Sequence, residues 1–295
     1  MKTAKLGVHQ FVFTDVWSEP NARAACRAAA DIGFELFEVA LPLDPGDLDA
    51  AMTRKTVVTE AGLGLRLSLV LQPATDIASA TPEIAAAGEA AVIRSLELAA
   101  DLDVPNVSGV TYSACTLYSA PPTEAQMQNL AAALSRIDAR AGDLGVRLGL
   151  EPVNRYETSV FNTLDQAGDM IRGIGAKNLF LHMDTCHMNI DEFDIPAAIA
   201  RNADLLGYTH LGESHHGVFG TGTFDFRGYF RALASAGYTG DFTVETFSPA
   251  VLTPQTAGAI RLWRRTWESS EAAATSCLAF MRTEIAAAVQ ATQAI

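Results

Sequence analysis

Four residues, Glu151, Asp184, His210 and Glu245, each end a short apolar run, and they fall 33, 26 and 35 residues apart. Each step is about the length of one strand, loop, helix and loop. Three carboxylates and one imidazole brought together would hold a divalent cation. The donor set, hard oxygens with one borderline nitrogen, suits Mn²⁺, Mg²⁺ or Co²⁺ better than a thiophilic ion. Five of the six histidines lie between positions 182 and 216: His182, His187, His210, His215 and His216. Imidazole is a common metal ligand and proton carrier, but clustering alone does not say which histidine binds.

The elements that must position these residues alternate along the whole chain. Strand-like runs are expected at Lys5–Gln10, Glu35–Leu41, Gly64–Leu71, Pro105–Val110, Gly145–Glu151, Leu179–Asp184, Leu206–Leu211 and Phe242–Glu245. Helical patterns lie between them, such as Asn21–Asp31, Pro82–Ala100, Thr123–Gly142 and Thr163–Ile174. Gly33, Gly62, Gly145 and Gly237 follow helical runs where a left-handed stop is expected. Strand and helix alternating eight times implies a parallel sheet. Eight units in about 250 residues imply a closed (β/α)₈ barrel, with active-site residues at the carboxyl ends of its strands. No linker divides the chain, so one domain is expected over 1–295, with the barrel at about 5–250 and a C-terminal helical extension at about 251–295. The extension carries Trp263, Trp267 and Phe280 in a long helical pattern, which reads either as closure of the barrel or as a subunit contact.

Each candidate has a structural reading beside the functional one. Glu151 precedes Pro152, which biases it toward extended backbone, yet a charged residue leaving a strand needs no function. The same holds for Glu245. His182 is two residues before Asp184 and points the same way, one layer deeper; a satisfied core histidine is the better reading. His187 lies three residues beyond Asp184, on the loop leaving the strand, where a functional role is favoured. Gly220-Thr221-Gly222-Thr223 lacks the Lys of a phosphate loop and reads as a turn before a helix that begins near Asp225. Arg261-Leu262-Trp263-Arg264-Arg265 reads as one face of a helix.

The 295 residues are 49 % hydrophobic and 19 % charged, and 21 basic against 34 acidic side chains leave a formal charge of −13. That balance repels phosphodiester backbones, so no nucleic-acid partner is expected. No apolar run reaches the length of a membrane span and the amino terminus does not read as a secretory signal. The four cysteines are scattered, without a C-x-x-C pair, which fits a reduced, cytoplasmic protein and excludes a structural zinc site.

The chemistry open to such a site is proton transfer at a carbon beside a carbonyl. It needs a positioned base and stabilisation of a developing enediolate, which a cation on the carbonyl and hydroxyl oxygens supplies. Glu151 and Glu245, from the fifth and eighth strands, face a ligand from opposite sides, so one takes the proton and the other returns one to the opposite face. No redox or other organic cofactor is needed.

At these residues the chain resembles the ketose 3-epimerases, the D-tagatose/D-allulose (D-psicose) 3-epimerase group of the xylose isomerase-like TIM barrel superfamily. The resemblance rests on Glu151-Pro-Val-Asn-Arg-Tyr-Glu157, Asp184-Thr-Cys-His-Met-Asn-Ile190 and His210-Leu-Gly-Glu-Ser214, extended by Gly220-Thr-Gly-Thr223 and Val244-Glu-Thr-Phe-Ser248. It runs from Leu6 to the Trp263 region and is strongest from Glu151 to Ser248. It implies Glu151, Asp184, His210 and Glu245 as ligands of a catalytic Mn²⁺ or Co²⁺. It implies Glu151 and Glu245 as the proton-transfer pair at C3 of a free ketose, of the D-fructose/D-allulose, D-tagatose/D-sorbose or L-ribulose/L-xylulose type. Glu157 and His187 match positions that hold the O1/O2 end of the substrate, and the group implies a homodimer or homotetramer. The alternatives are an aldose–ketose isomerase of the hydroxypyruvate isomerase type or an inosose dehydratase-like lyase. A metal-dependent nuclease is disfavoured by the acidic charge, and a non-catalytic sugar binder by the retention of both Glu151 and Glu245.

Two positions depart from the pattern. His216 stands where the group commonly has an Arg that contacts substrate oxygens, and Cys186 stands where an aromatic residue is common. A histidine is shorter and not reliably charged. His216→Arg is therefore expected to change KM or the ranking of ketoses more than metal binding. Steady-state kinetics unchanged across several ketoses would contradict this.

Overall fold

The structure is a computed structural model that describes residues 1, 3–41 and 48–293. Eight strands form in chain order: β1 (Leu6–His9), β2 (Leu36–Ala40), β3 (Gly64–Ser68), β4 (Asn106–Ser108), β5 (Arg147–Leu150), β6 (Leu179–Asp184), β7 (Leu206–Leu211) and β8 (Asp241–Val244). Every neighbouring pair is parallel, and β8 returns to β1, so the sheet closes into a barrel. All eight strands fall where the sequence places them, most shortened at their ends by one to three residues and β8 shifted one residue toward the amino terminus.

The helices are α1 (Glu19–Ile32), α2 (Leu48–Glu60), α3 (Pro82–Asp101), α4 (Glu124–Leu144), α5 (Leu164–Gly173), α6 (Thr185–Asp191), α7 (Ile195–Arg201), α8 (Phe226–Ser235), α9 (Pro254–Ala259) and α10 (Ser270–Gln293). Their ends follow local chemistry. Thr123 and Thr163 each accept from the backbone N–H three residues on, and Gln126 and Gln166 close the two capping boxes, which satisfies backbone donors that the helix leaves open. Gly33, Gly62, Gly145 and Gly237 all take positive φ, as helix-stopping glycines do.

Three expectations need correction. The stretch after Asp184 is not a loop but α6, because Asp184 itself caps that helix. Arg261–Arg265 is not helical; Arg261 takes φ of +56° just after α9, which ends any helix there. Trp263 is consequently 78 % exposed, while Trp267 is buried, its indole N–H donating to Thr246 Oγ1 at 2.9 Å. The helical part of the tail is α10, whose buried face packs on α8 and α1 and contributes Ala274, Cys277, Leu278 and Met281 to the main apolar core. By length and composition α10 also matches a membrane span, contrary to expectation. It carries Glu271, Arg282 and Glu284, and Arg282 donates to the Gly33 carbonyl at 2.8 Å.

The lumen of the barrel is polar where branched aliphatics usually fill it. Side-chain alternation turns Gly7 and His9 on β1, Glu38 on β2, His182 and Asp184 on β6, and Tyr208 and His210 on β7 inward. The lowest level holds the Arg66–Asp241 ion pair at 2.6 Å. Most aliphatic residues of the strands, such as Val8, Val39, Leu148 and Leu181, face outward onto the helices and form the main core there.

Gly109 positions the first candidate. It follows β4 with φ of +128°, and its carbonyl accepts the Glu151 N–H at 3.0 Å. A Cβ there would sit 2.4 Å from the Leu69 carbonyl oxygen, a backbone atom that has little freedom to retreat. Gly109→Ala is expected to destabilise the fold by about 1–3 kcal/mol through strain and overlap. Denaturant unfolding checks this, and an unchanged midpoint would rule it out.

Candidate active site at the barrel mouth

Glu151 follows β5, Asp184 ends β6, His210 lies one residue inside the end of β7, and Glu245 follows β8. Closure of the barrel brings them together. His210 Nδ1 lies 3.4 Å from Glu151 Oε1 and 3.4 Å from Glu245 Oε1. Ligand atoms of Asp184, His210 and Glu245 lie within 4.8 Å of one another, as do those of Glu151, Asp184 and His187. Donors around one octahedral cation of this size lie at most about 4.2 Å apart, so only small movements separate this arrangement from coordination.

The orphaned atoms point the same way. Asp184 Oδ1 accepts from the N–H groups of Cys186 (2.6 Å) and His187 (3.2 Å), the usual work of a helix-capping aspartate. Asp184 Oδ2 is buried with no partner, and so is His210 Nδ1. Buried polar atoms rarely stay unpaired, and these two face the same small space. The charges are also incomplete. Among the described residues, no Lys or Arg lies within 4 Å of Glu151, Asp184 or Glu245. Burial, then the charges of Asp184 and Glu151 left unmatched by His210, push the Glu245 carboxyl well above the usual range. Glu151 moves the other way: burial opposes its charge, but His182 and His210 outweigh it. Three crowded carboxylates, with an unpaired oxygen on Asp184, fit a divalent cation.

The positions expected to hold substrate lie beside this cluster. Asn154 Nδ2 donates to Glu157 Oε1 at 2.9 Å and lies 2.8 Å from His187 Nδ1, so one amide fixes both side chains. Burial works against a cationic His187, yet the Glu157 and Asp184 charges raise its pKa on balance. His216 takes φ of +55° and its ring stacks on Phe247 with centroids 5.1 Å apart. Its Nδ1 is buried and unpaired. A cavity of about 570 Å³ joins Glu151, Glu157, His187, His210, His216 and Glu245. Its outer wall is largely apolar and includes residues of α9.

His182 is buried as expected but not satisfied. Neither ring nitrogen has a hydrogen-bond partner, and Nδ1 stands 3.7 Å from Glu151 Oε2. The Gly220–Thr223 segment is a turn, and its amides are already taken. Glu213 accepts from the N–H groups of Ser214, Gly220 and Phe224 at 2.8, 2.9 and 3.2 Å. A protein carboxylate therefore fills the position an anion would need.

Three residues were missed in the sequence. Asn154 sits inside the motif that ends at Glu157 and has only its amide to mark it. His9 is buried beside the cavity, accepts from the Phe11 N–H through Nδ1, and is held neutral by burial, with its pKa lowered to about 4. Glu38 is fully buried on β2 and touches His210; a lone acid inside Leu36-Phe37-Glu38-Val39-Ala40 was its only signal.

Comparison with known proteins agrees with this architecture. Residues 26–267 match the model of the xylose isomerase-like TIM barrel family. The chain is 38 % identical to a ketose 3-epimerase of Arthrobacter globiformis over 96 % of this chain and 97 % of that one. It is 36 % identical to an L-ribulose 3-epimerase of Methylomonas sp. (strain DH-1) over 95 % and 98 % of the two chains. A solved structure of D-allulose 3-epimerase from Methylomonas sp. in complex with D-allulose superposes with a TM-score of 0.90 at 34 % identity, covering 96 % of this chain and 97 % of that one. The fold and site define a parallel-barrel sugar isomerase, and the chain belongs to the xylose isomerase-like TIM barrel family, within its ketose 3-epimerase group.

Asp184 separates capping from cation binding. Asn caps a helix about as well as Asp but offers the site no charge. Mn²⁺ in roughly hundredfold excess over its Kd is expected to stabilise the unaltered protein by about 2.7 kcal/mol. Asp184→Asn is expected to keep the metal-free unfolding midpoint and lose most of that shift. Thermal unfolding with and without Mn²⁺ reads both quantities, and a full shift in the variant would contradict the assignment.

Proposed function

We propose that this chain inverts C3 of free ketoses, with Glu151, Asp184, His210 and Glu245 holding one divalent cation and Glu151 and Glu245 moving the proton. The observation that carries the reading is the pair of carboxylates just after β5 and β8, each 3.4 Å from the same His210 nitrogen and, among the described residues, neither within 4 Å of a Lys or Arg. The relatives named as ketose, L-ribulose and D-psicose 3-epimerases support it.

Bound there, the cation supplies positive charge opposite the substrate oxygens on which charge develops. The residues of the chain do the rest. Glu157 and His187, tied together by Asn154, hold the O1/O2 end of the sugar. One of Glu151 and Glu245 removes the C3 proton, and the other delivers a proton to the opposite face. Which acts as base depends on the configuration of the incoming C3, so the reaction runs both ways with one machinery. Their unequal surroundings suit this division, since a proton-transfer pair needs one carboxylate and one carboxylic acid. His216, stacked on Phe247, faces the sugar oxygens where the group commonly places an Arg. The apolar outer wall excludes water from the reacting carbon.

The donor set favours Mn²⁺, then Co²⁺ or Mg²⁺. The enzyme works in the cytoplasm as a homodimer or homotetramer, for which exposed aromatics such as Trp263 and Phe193 offer apolar contact.

Mn²⁺-loaded protein incubated with D-fructose, D-tagatose and L-ribulose in D₂O is expected to place deuterium at C3 of the products. Label at C1 or C2 without C3 exchange identifies an aldose–ketose isomerase instead, and loss of water identifies a lyase. Glu245→Gln is expected to lower kcat about 10²–10⁴-fold, and an unaltered kcat would exclude Glu245 from proton transfer.

A further inference from the structure

Glu38 lies on β2, across the barrel from His210 on β7 and 172 positions before it in the chain. Its side chain is wholly buried. Both carboxylate oxygens face His210 Nε2, at 2.9 and 3.0 Å. Oε2 also accepts from the Tyr208 hydroxyl at 2.5 Å, and that hydroxyl in turn accepts from Thr243 Oγ1 at 2.5 Å. Among the described residues, no Lys or Arg lies within 4 Å of Glu38. An acid buried with only an imidazole and a phenol for partners costs stability unless some other function retains it.

The geometry supplies that function. An ionised carboxylate only accepts hydrogen bonds. A neutral His210 must therefore carry its one proton on Nε2, which leaves a lone pair on Nδ1, the atom that is unpaired and faces Glu151 and Glu245. The opposite tautomer would aim an N–H into the cation site. We infer that Glu38 is the positioning residue of the metal centre, locking His210 in its ligating tautomer and orientation from across the barrel. This rests on the reading of Glu151, Asp184, His210 and Glu245 as the cation site. Tyr208 and Thr243 extend the arrangement by fixing Glu38 from its other side, so β2, β7 and β8 set one imidazole. Carboxylate partners of metal-bound histidines act in this way in general, and losing one commonly weakens metal binding.

Glu38→Gln tests the inference. Gln keeps the shape but not the charge, and its amide either accepts from Nε2 with no charge or donates to it and turns the imidazole to the wrong tautomer. Metal-free proteins are titrated with Mn²⁺ while the EPR signal of free Mn²⁺ is followed, and thermal unfolding of the same samples is recorded without metal. Glu38→Gln is expected to weaken Mn²⁺ binding roughly 10–100-fold, whether or not the metal-free midpoint also falls. A lower midpoint with unchanged Mn²⁺ affinity would mark Glu38 as structural and overturn the inference, as would any equal affinity. If the unaltered protein binds no Mn²⁺, the cation site itself is wrong and the inference falls with it. Should Glu38→Gln fail to fold, Tyr208→Phe removes the phenol that holds Oε2. A several-fold weaker Mn²⁺ affinity then supports the inference, and an unchanged one overturns it.

Discussion

Four carboxylates, Glu38, Glu151, Asp184 and Glu245, and two histidines, His182 and His210, share the upper lumen of one barrel, and among the described residues no Lys or Arg lies within 4 Å of the carboxylates. Negative charge gathered in a low-dielectric space repels itself, and only pairing or protonation relieves it. Much of the interior can be understood as a response. Glu38 is matched by His210 and Tyr208. One oxygen of Asp184 is spent on the first turn of α6. Both nitrogens of His182 stay unpaired, and so do one oxygen of Asp184 and one nitrogen of His210, which face the same small space. The barrel thus concentrates its unsatisfied polarity where a cation would complete it.

The scaffold tolerates this because its stability is built elsewhere. The apolar core lies between the strands and the ring of helices, from Val8 and Phe37 through Leu148 and Leu181 to Met281 on α10. Burial of that area is the dominant favourable term in folding. The lumen can then hold costly groups that aliphatic side chains would otherwise replace. A smaller apolar cluster of Phe247, Leu252 and Ala257, with Phe11 and Ile260 packed on it, covers one side of the mouth. It is tied down by Thr253, whose N–H and hydroxyl both donate to Asp15. The site therefore has a rigid floor of strands and a separately packed wall.

Local signals were read well where one short segment settles the outcome. Period-two runs became strands, glycines after helices became left-handed stops, and acids at strand ends landed at the mouth. Errors arose where a distant partner decides. Arg261–Arg265 looks helical by spacing, but the turn at Arg261 breaks it and leaves Trp263 outside. His182 looked like a satisfied core residue because alternation gives its direction and not its neighbours, and the structure leaves both its nitrogens unpaired.

The amino-acid sequence by itself determined the alternating elements, the closed barrel and the four residues at the strand ends, because each depends on periodicity, capping or turn chemistry within about a dozen residues. Tertiary structure alone decided that Glu38 meets His210, that Asn154 joins Glu157 to His187, and which imidazole nitrogen faces the carboxylates. Contacts across a barrel exist only once the last strand pairs with the first. No local pattern carries a distance between β2 and β7, so the tautomer of His210 is a property of the closed fold.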